Sequence, residues 1–143
     1  MNHILSVSES ITIAVSSKKM WEVLTQPEII KDYLFGTETI TDWKPGSKII
    51  FQGEYQGHKY KDEGVILEFK PFEKISYTYW SGFSGLENKA ENYSVVSYSL
   101  KAIDATTTEL TWAQKGYVDE ERQKHSKTGM PEFLEAIKTV AER

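Results

Sequence analysis

The chain has no cysteine. That excludes disulfides, thiolate metal sites and a cysteine nucleophile, and it suits a reducing compartment. Positive charge is in short supply: 17 Lys and Arg stand against 21 Asp and Glu, a formal net charge of -4. A mildly acidic chain has no means of collecting phosphate backbone, so nucleic acid is not an expected partner. Long apolar runs are missing too, and the N-terminus Met1-Asn2-His3-Ile4-Leu5-Ser6 lacks a basic segment and a long apolar core. No membrane span and a cytoplasmic location are therefore expected. Histidine is scarce at three residues, His3, His58 and His125, and no pair has metal-ligand spacing. No metal or other cofactor is expected.

Aromatic residues, by contrast, make up 13% of the 143 residues. A chain of this length is expected to fold as one domain, 1–143, and to bury roughly 68–70% of the surface its unfolded form exposes. Most of the rings fall in segments that alternate apolar and polar residues, from about Trp43 to about Gly116. Such segments read as consecutive antiparallel strands. Ile11, Ile13 and Val15 alternate as a first strand. Ser16 or Ser17 offers an N-cap for a short helix carrying Met20, Trp21, Val23 and Leu24. Pro27 ends that helix and starts a second, closed by Gly36.

Turns at Pro45-Gly46, Gln56-Gly57, Pro71-Phe72-Glu73 and Asp104-Ala105 divide the rest into strands. Gly82 to Glu91 reads as a polar loop. Phe133, Leu134, Ile137, Val140 and Ala141 recur at helical spacing at the C-terminus, with Gly129 and Pro131 predicting a kink or break before them. The order predicts an α+β fold in which a curved seven-stranded sheet wraps one C-terminal helix. One amphipathic helix is too narrow to cover so many strands, so a gap lined by rings is expected between them.

Alternation assigns the faces. The inner face is expected to carry Phe51, Val65 and Leu67, then Tyr77 and Tyr79, then Tyr98, and finally Trp112 and Gln114. Phe133 and Ile137 of the helix oppose them. Glu63 shares the parity of Val65 and Leu67 and is the candidate polar group of the cavity, paired with Lys61. The expected cavity residues are thus Phe51, Leu67, Tyr77, Tyr79, Tyr98, Trp112, Gln114, Phe133 and Ile137, with Glu63 at one end.

Four segments resemble a known family. They are Ile13-x-Val15 with Met20-Trp21-x-x-Leu24-Thr25-x-Pro27; Asp42-Trp43-Lys44-Pro45-Gly46; Gly64-Val65-Ile66-Leu67-Glu68-x-x-Pro71 running into Ile75-Ser76-Tyr77-Thr78-Tyr79-Trp80; and Thr108-x-Leu110-Thr111-Trp112 with Gln114, Gly116 and Gly129-Met130. In order and spacing the chain resembles the family related to the activator of the Hsp90 ATPase. That family lies within the helix-grip superfamily of START lipid-transfer domains, pollen allergens and polyketide cyclases. Gln114 stands where many relatives have His, and Met130 where many have Trp. The resemblance implies a helix-grip fold with an internal cavity, and it does not imply a reaction. Three functions are open at this point. One is non-catalytic binding of a small hydrophobic or aromatic molecule. Another is a cyclase/aromatase-type enzyme using a Tyr or Glu63 for proton transfer. The last is interaction with an Hsp90-type chaperone.

Overall fold

A computed structural model describes residues 5–143; His3 and the rest of residues 1–4 lie outside the described residues. The chain runs β1 (Ser6–Ile13), α1 (Ser17–Thr25), α2 (Pro27–Tyr33), β2 (Glu38–Thr41), β3 (Lys48–Tyr55), β4 (His58–Lys70), β5 (Lys74–Tyr79), β6 (Ser94–Asp104), β7 (Thr107–Lys115) and α3 (Glu120–Glu142), with a 3-10 turn at Ala90–Asn92 before β6. The seven strands form one antiparallel sheet in the order β1-β7-β6-β5-β4-β3-β2. α3 lies along β1, and α1 and α2 pack beside it.

Local chemistry explains the joints. Ser16 has extended backbone, and its hydroxyl accepts the Lys19 N–H at 3.1 Å, so α1 begins where a polar cap can satisfy an orphan donor. Ser16→Ala is expected to lower stability by about 1 kcal/mol, measured as a shift of the urea midpoint at unchanged slope. Pro27 occupies the first turn of α2, where its missing N–H costs nothing. Gln56 and Gly57 both have positive φ (50° and 80°), the two-residue hairpin geometry whose twist matches the flanking strands. β1 starts at Ser6 and stops at Ile13, earlier in the chain than the Ile11–Val15 alternation suggests. Its pairing with β7, from Ser6↔Lys115 to Ile13↔Thr108, sets those limits.

Of the two outcomes expected at Gly129 and Pro131, a kinked helix or a break, α3 shows no break. It continues through Gly129 and Pro131 as one helix of 23 residues. Pro131 removes one backbone donor, but each half of the helix is held independently. Asp119 caps the first half by accepting the Arg122 N–H at 2.9 Å. Leu134, Ile137 and Ala141 bury the second half. Glu142 then accepts the Ala14 N–H at 2.8 Å and the Lys138 ammonium at 2.7 Å, fastening the end of α3 to the link between β1 and α1.

The core sits between the sheet and the three helices, with Ile13, Met20, Val23, Ile49, Ile66, Ile75, Leu110 and Ile137 closed to solvent. Inner-face residues follow the expected parity in β3, β5, β6 and β7. β4 departs from it. The pairs Ile66↔Tyr77 and Glu68↔Ser76 span two residues of β4 but one of β5, so Leu67 is the extra residue of a bulge. Phe69 faces inward beyond the bulge, against Trp21 at 5.3 Å and Trp43 at 5.7 Å. Before the bulge the inward residues are Asp62, Gly64 and Ile66. Val65 and Leu67 point outward, at 38% and 46% exposure.

Candidate functional site

A cavity of about 270 Å³ opens between the sheet and α3. Each strand from β3 to β7 contributes inward side chains: Phe51, Asp62, the pair Tyr77 and Tyr79, the pair Val96 and Tyr98, and the pair Trp112 and Gln114. Leu34 and Thr37 close one side from the segment linking α2 to β2, and Met130 and Phe133 close another from α3. These positions follow from the pleat. Tyr77 pairs with Val96, and Val96 with Gln114; Tyr98 pairs with Trp112. The side chains therefore line up across neighbouring strands on one face.

Rings dominate the wall. Phe51 lies 5.7 Å from Tyr77 and 6.3 Å from Tyr79, and Tyr77 lies 6.4 Å from Tyr79, centroid to centroid. Burial pushes the Tyr98 phenol up to about 12. Burial, and then the neighbouring Tyr98, raises the Tyr77 phenol well above its ordinary value. Burial and then the Asp62 charge raise Tyr79. At neutral pH all three hydroxyls are intact, able both to donate and to accept.

The polar groups are placed by specific bonds. The Tyr79 hydroxyl donates to Asp62 Oδ2 at 2.8 Å. Ser81 Oγ (3.0 Å) and the Gly82 N–H (2.9 Å) donate to Asp62 Oδ1. Gln114 Nε2 donates to Ser94 Oγ at 2.7 Å, which orients its amide along the wall.

Tyr79 and Gln114 also border a second, wider cleft of about 660 Å³. Its other walls are the loop 82–92, the segment from Gly116 to Val118, and the first turns of α3. Contacts beyond the Gly82–Asp62 bond hold the loop. The Trp80 indole N–H donates to the Leu86 carbonyl at 3.1 Å, Arg122 Nη2 donates to the Ser84 carbonyl at 2.7 Å, and Asn88 Nδ2 donates to Glu63 Oε1 at 2.6 Å. The Tyr117 hydroxyl in this cleft is buried without a hydrogen bond; Ser126 is close enough to influence the phenol but does not meet bonding geometry.

Seven of the residues expected at the cavity are in its wall: Phe51, Tyr77, Tyr79, Tyr98, Trp112, Gln114 and Phe133. Three are not. Ile137 is fully buried among core side chains and does not reach the cavity. Leu67 and Glu63 lie on the outer face, because the bulge reverses the parity of the first part of β4. Glu63 instead anchors the loop. The Asn88 amide is the main cause that holds its carboxyl below the ordinary range, aided by Lys61 at 3.6 Å. Asp62 takes the place in the wall for which Glu63 was the candidate, on the side of β4 that carries Gly64 and Ile66. Leu34 and Thr37 carried no signal, since they sit in a connection rather than a periodic element. His58 and His125 are exposed, the latter at the outer cleft. Among the described residues no cluster of His, Asp and Glu could hold a metal ion. Among the same residues no helix is long and apolar enough to cross a membrane.

Residues 14–142 match the model of a family described as Activator of Hsp90 ATPase homolog 1-like protein. Among solved structures, ChR145 of Cytophaga hutchinsonii is 37% identical, over 99% of this chain and 97% of that one, with a TM-score of 0.83. The Aha1 dimer of Colwellia psychrerythraea is similar in fold at 15% identity, over 97% of both chains, with a TM-score of 0.75. CalU16 of Micromonospora echinospora shares the fold at 18% identity, over 95% of this chain and 75% of that one, with a TM-score of 0.72. No curated protein matches the chain.

Proposed function

The chain belongs to the family of Activator of Hsp90 ATPase homolog 1-like proteins and has the helix-grip fold, and on that premise we propose that it binds a small aromatic or apolar molecule, without transforming it, in the cavity between sheet and α3. The observation that carries this reading is a 270 Å³ space between sheet and α3 walled by Tyr77, Tyr79, Tyr98 and Trp112. The space falls just short of the ~300 Å³ at which small-ligand sites commonly begin, and like them it combines apolar walls with a few converging polar groups. The volume suits a molecule with one ring system. The phenols and the Gln114 amide would orient its polar atoms, and the rings would supply contact area.

Met130 provides the test. It borders the cavity from α3, at a position where the family resemblance points to Trp. Met130→Trp adds an indole into the space while the buried face of α3 stays intact. The expected result is at least a tenfold loss of affinity for any aromatic compound that binds the wild type, with the melting temperature changed by less than about 4 °C. Thermal-shift screening followed by calorimetry reads both. An affinity that survives the substitution would place the ligand elsewhere.

A second reading rests on the family's name and on the apolar outer face left by the bulge, where Ile40, Val65 and Leu67 are exposed. It is docking to an Hsp90-type chaperone. Purified chaperone whose ATPase rate rises on addition of the wild type, and not of Leu67→Asp, would support it. An unchanged rate would remove it.

A further inference from the structure

Resting on the cavity reading, we infer that the ligand is an organic ammonium compound: a small aromatic or apolar body whose cationic nitrogen sits against Asp62. Among the described residues Asp62 is the one charged side chain in the cavity wall. The other lining groups are rings, aliphatic chains, hydroxyls, an amide and the Met130 thioether. A charge at such a wall is unfavourable unless something answers it.

Among the described residues nothing cationic does: no Lys, Arg or His pairs with Asp62. Its neighbour Lys61 reaches across the outer face to Glu63 at 3.6 Å. Arg122, in the outer cleft, is taken by Asp119 and by the Ser84 carbonyl. The three groups that bond Asp62 are a phenol, an alcohol and a peptide N–H, all neutral. They orient the carboxylate and leave its charge in place.

The bond count also leaves room. An ionised carboxylate offers about four acceptor sites. Oδ1 takes two donors and Oδ2 takes only Tyr79. One acceptor site on Oδ2, the oxygen bonded to a cavity ring, is open to an ammonium N–H.

The rings complete the site. Phe51, Tyr77 and Tyr79 stand in mutual contact within 6.4 Å beside that carboxylate. Ring faces carry negative potential and attract cations, more strongly when water is excluded. A carboxylic acid of the same shape would meet like charge and no cationic side chain.

A matched set of probes tests this: 2-phenylethylamine, 2-phenylethanol and phenylacetate, titrated calorimetrically into the wild type and into Asp62→Asn. A charge-assisted hydrogen bond is strong enough that the amine is expected to bind at least about tenfold more tightly than the alcohol. Phenylacetate is expected to bind weakest. Asp62→Asn keeps the shape and is expected to bring the amine down to the alcohol's affinity while leaving the alcohol unchanged. If all three probes bind the wild type equally, the cavity reading stands and the cationic assignment is overturned. If none binds, both are overturned. Asp62 also tethers Ser81 and Gly82, so Tyr79→Phe serves as a second variant. It keeps the charge and frees one acceptor site, and the preference for the amine should persist or grow. Loss of that preference in Tyr79→Phe would overturn the assignment.

Discussion

Gly64→Ala is expected to lose more than about 4 kcal/mol of stability, enough to leave many small domains largely unfolded. Gly64 is buried on the inner face of β4, and a Cβ there would stand 1.6 Å from the Thr78 carbonyl oxygen and 2.5 Å from its carbon. The obstacle is the backbone of β5, which cannot rotate away as a side chain could. Relief requires moving β4 off β5, and several things depend on that contact. The Val65 N–H is satisfied by Thr78 Oγ1 at 2.9 Å, the Glu63–Trp80 bridge lies on one side, and the Ile66–Tyr77 pairing lies on the other. Displacing β5 would also move Tyr77 and Tyr79 out of the cavity wall. Urea denaturation with circular dichroism measures the loss. A Gly64→Ala protein within 1 kcal/mol of wild type would show that the strands are not held this closely.

A second large effect lies at alkaline pH. Burial raises Tyr33 and Tyr77 well above the ordinary value of 10.0, raises Tyr79, and raises Tyr98 to about 12. In the unfolded chain each phenol ionises near pH 10. The folded value is the higher one, so the neutral phenols contribute stability that is fully present below about pH 10. That stability is lost as the pH rises through the folded values. Tyr98 alone accounts for about 3 kcal/mol, from two units at 1.36 kcal/mol each. The other three phenols act in the same direction, so stability should fall progressively as the pH rises above about 10. Absorbance at 295 nm, recorded with far-ultraviolet circular dichroism, should show a cooperative step in which buried phenols ionise only as the fold is lost, between about pH 11 and 12. Smooth ionisation of all eight tyrosines near pH 10, with the fold intact, would contradict the burial of these rings.

Much of this architecture was legible because strand alternation reports which face is buried. Ile49 and Phe51, Tyr77 and Tyr79, Val96 and Tyr98, and Leu110, Trp112 and Gln114 could all be placed from parity alone. The turn residues gave the hairpins, and Ser16 and Pro27 gave the helix starts. β4 was not legible in the same way. An apolar Val65 and Leu67 invite an inward assignment, while a polar Asp62 and a bare Gly64 discourage one. The bulge at Leu67 depends on how β4 meets β5, and a single strand's sequence does not encode that meeting. One inserted residue therefore exchanged Glu63 for Asp62 as the cavity's polar group. Pro131 left two outcomes open, a kinked helix or a break. Local propensity argues for a break, but tertiary packing of Leu134, Ile137 and Ala141 carries the helix through. Leu34 and Thr37 reach the cavity from a connection, where no periodicity exists to be read.

The most direct test follows the four tryptophan indoles by ¹H–¹⁵N correlation spectroscopy while 2-phenylethylamine or 2-phenylethanol is added. Trp112 lines the inner cavity, Trp80 borders the outer cleft, and Trp21 and Trp43 pack against Phe69 away from both. Binding between sheet and α3 predicts a saturable shift of the Trp112 indole with Trp21 and Trp43 unmoved. A saturable response confined to Trp80, or no response from any indole at millimolar ligand, would contradict it.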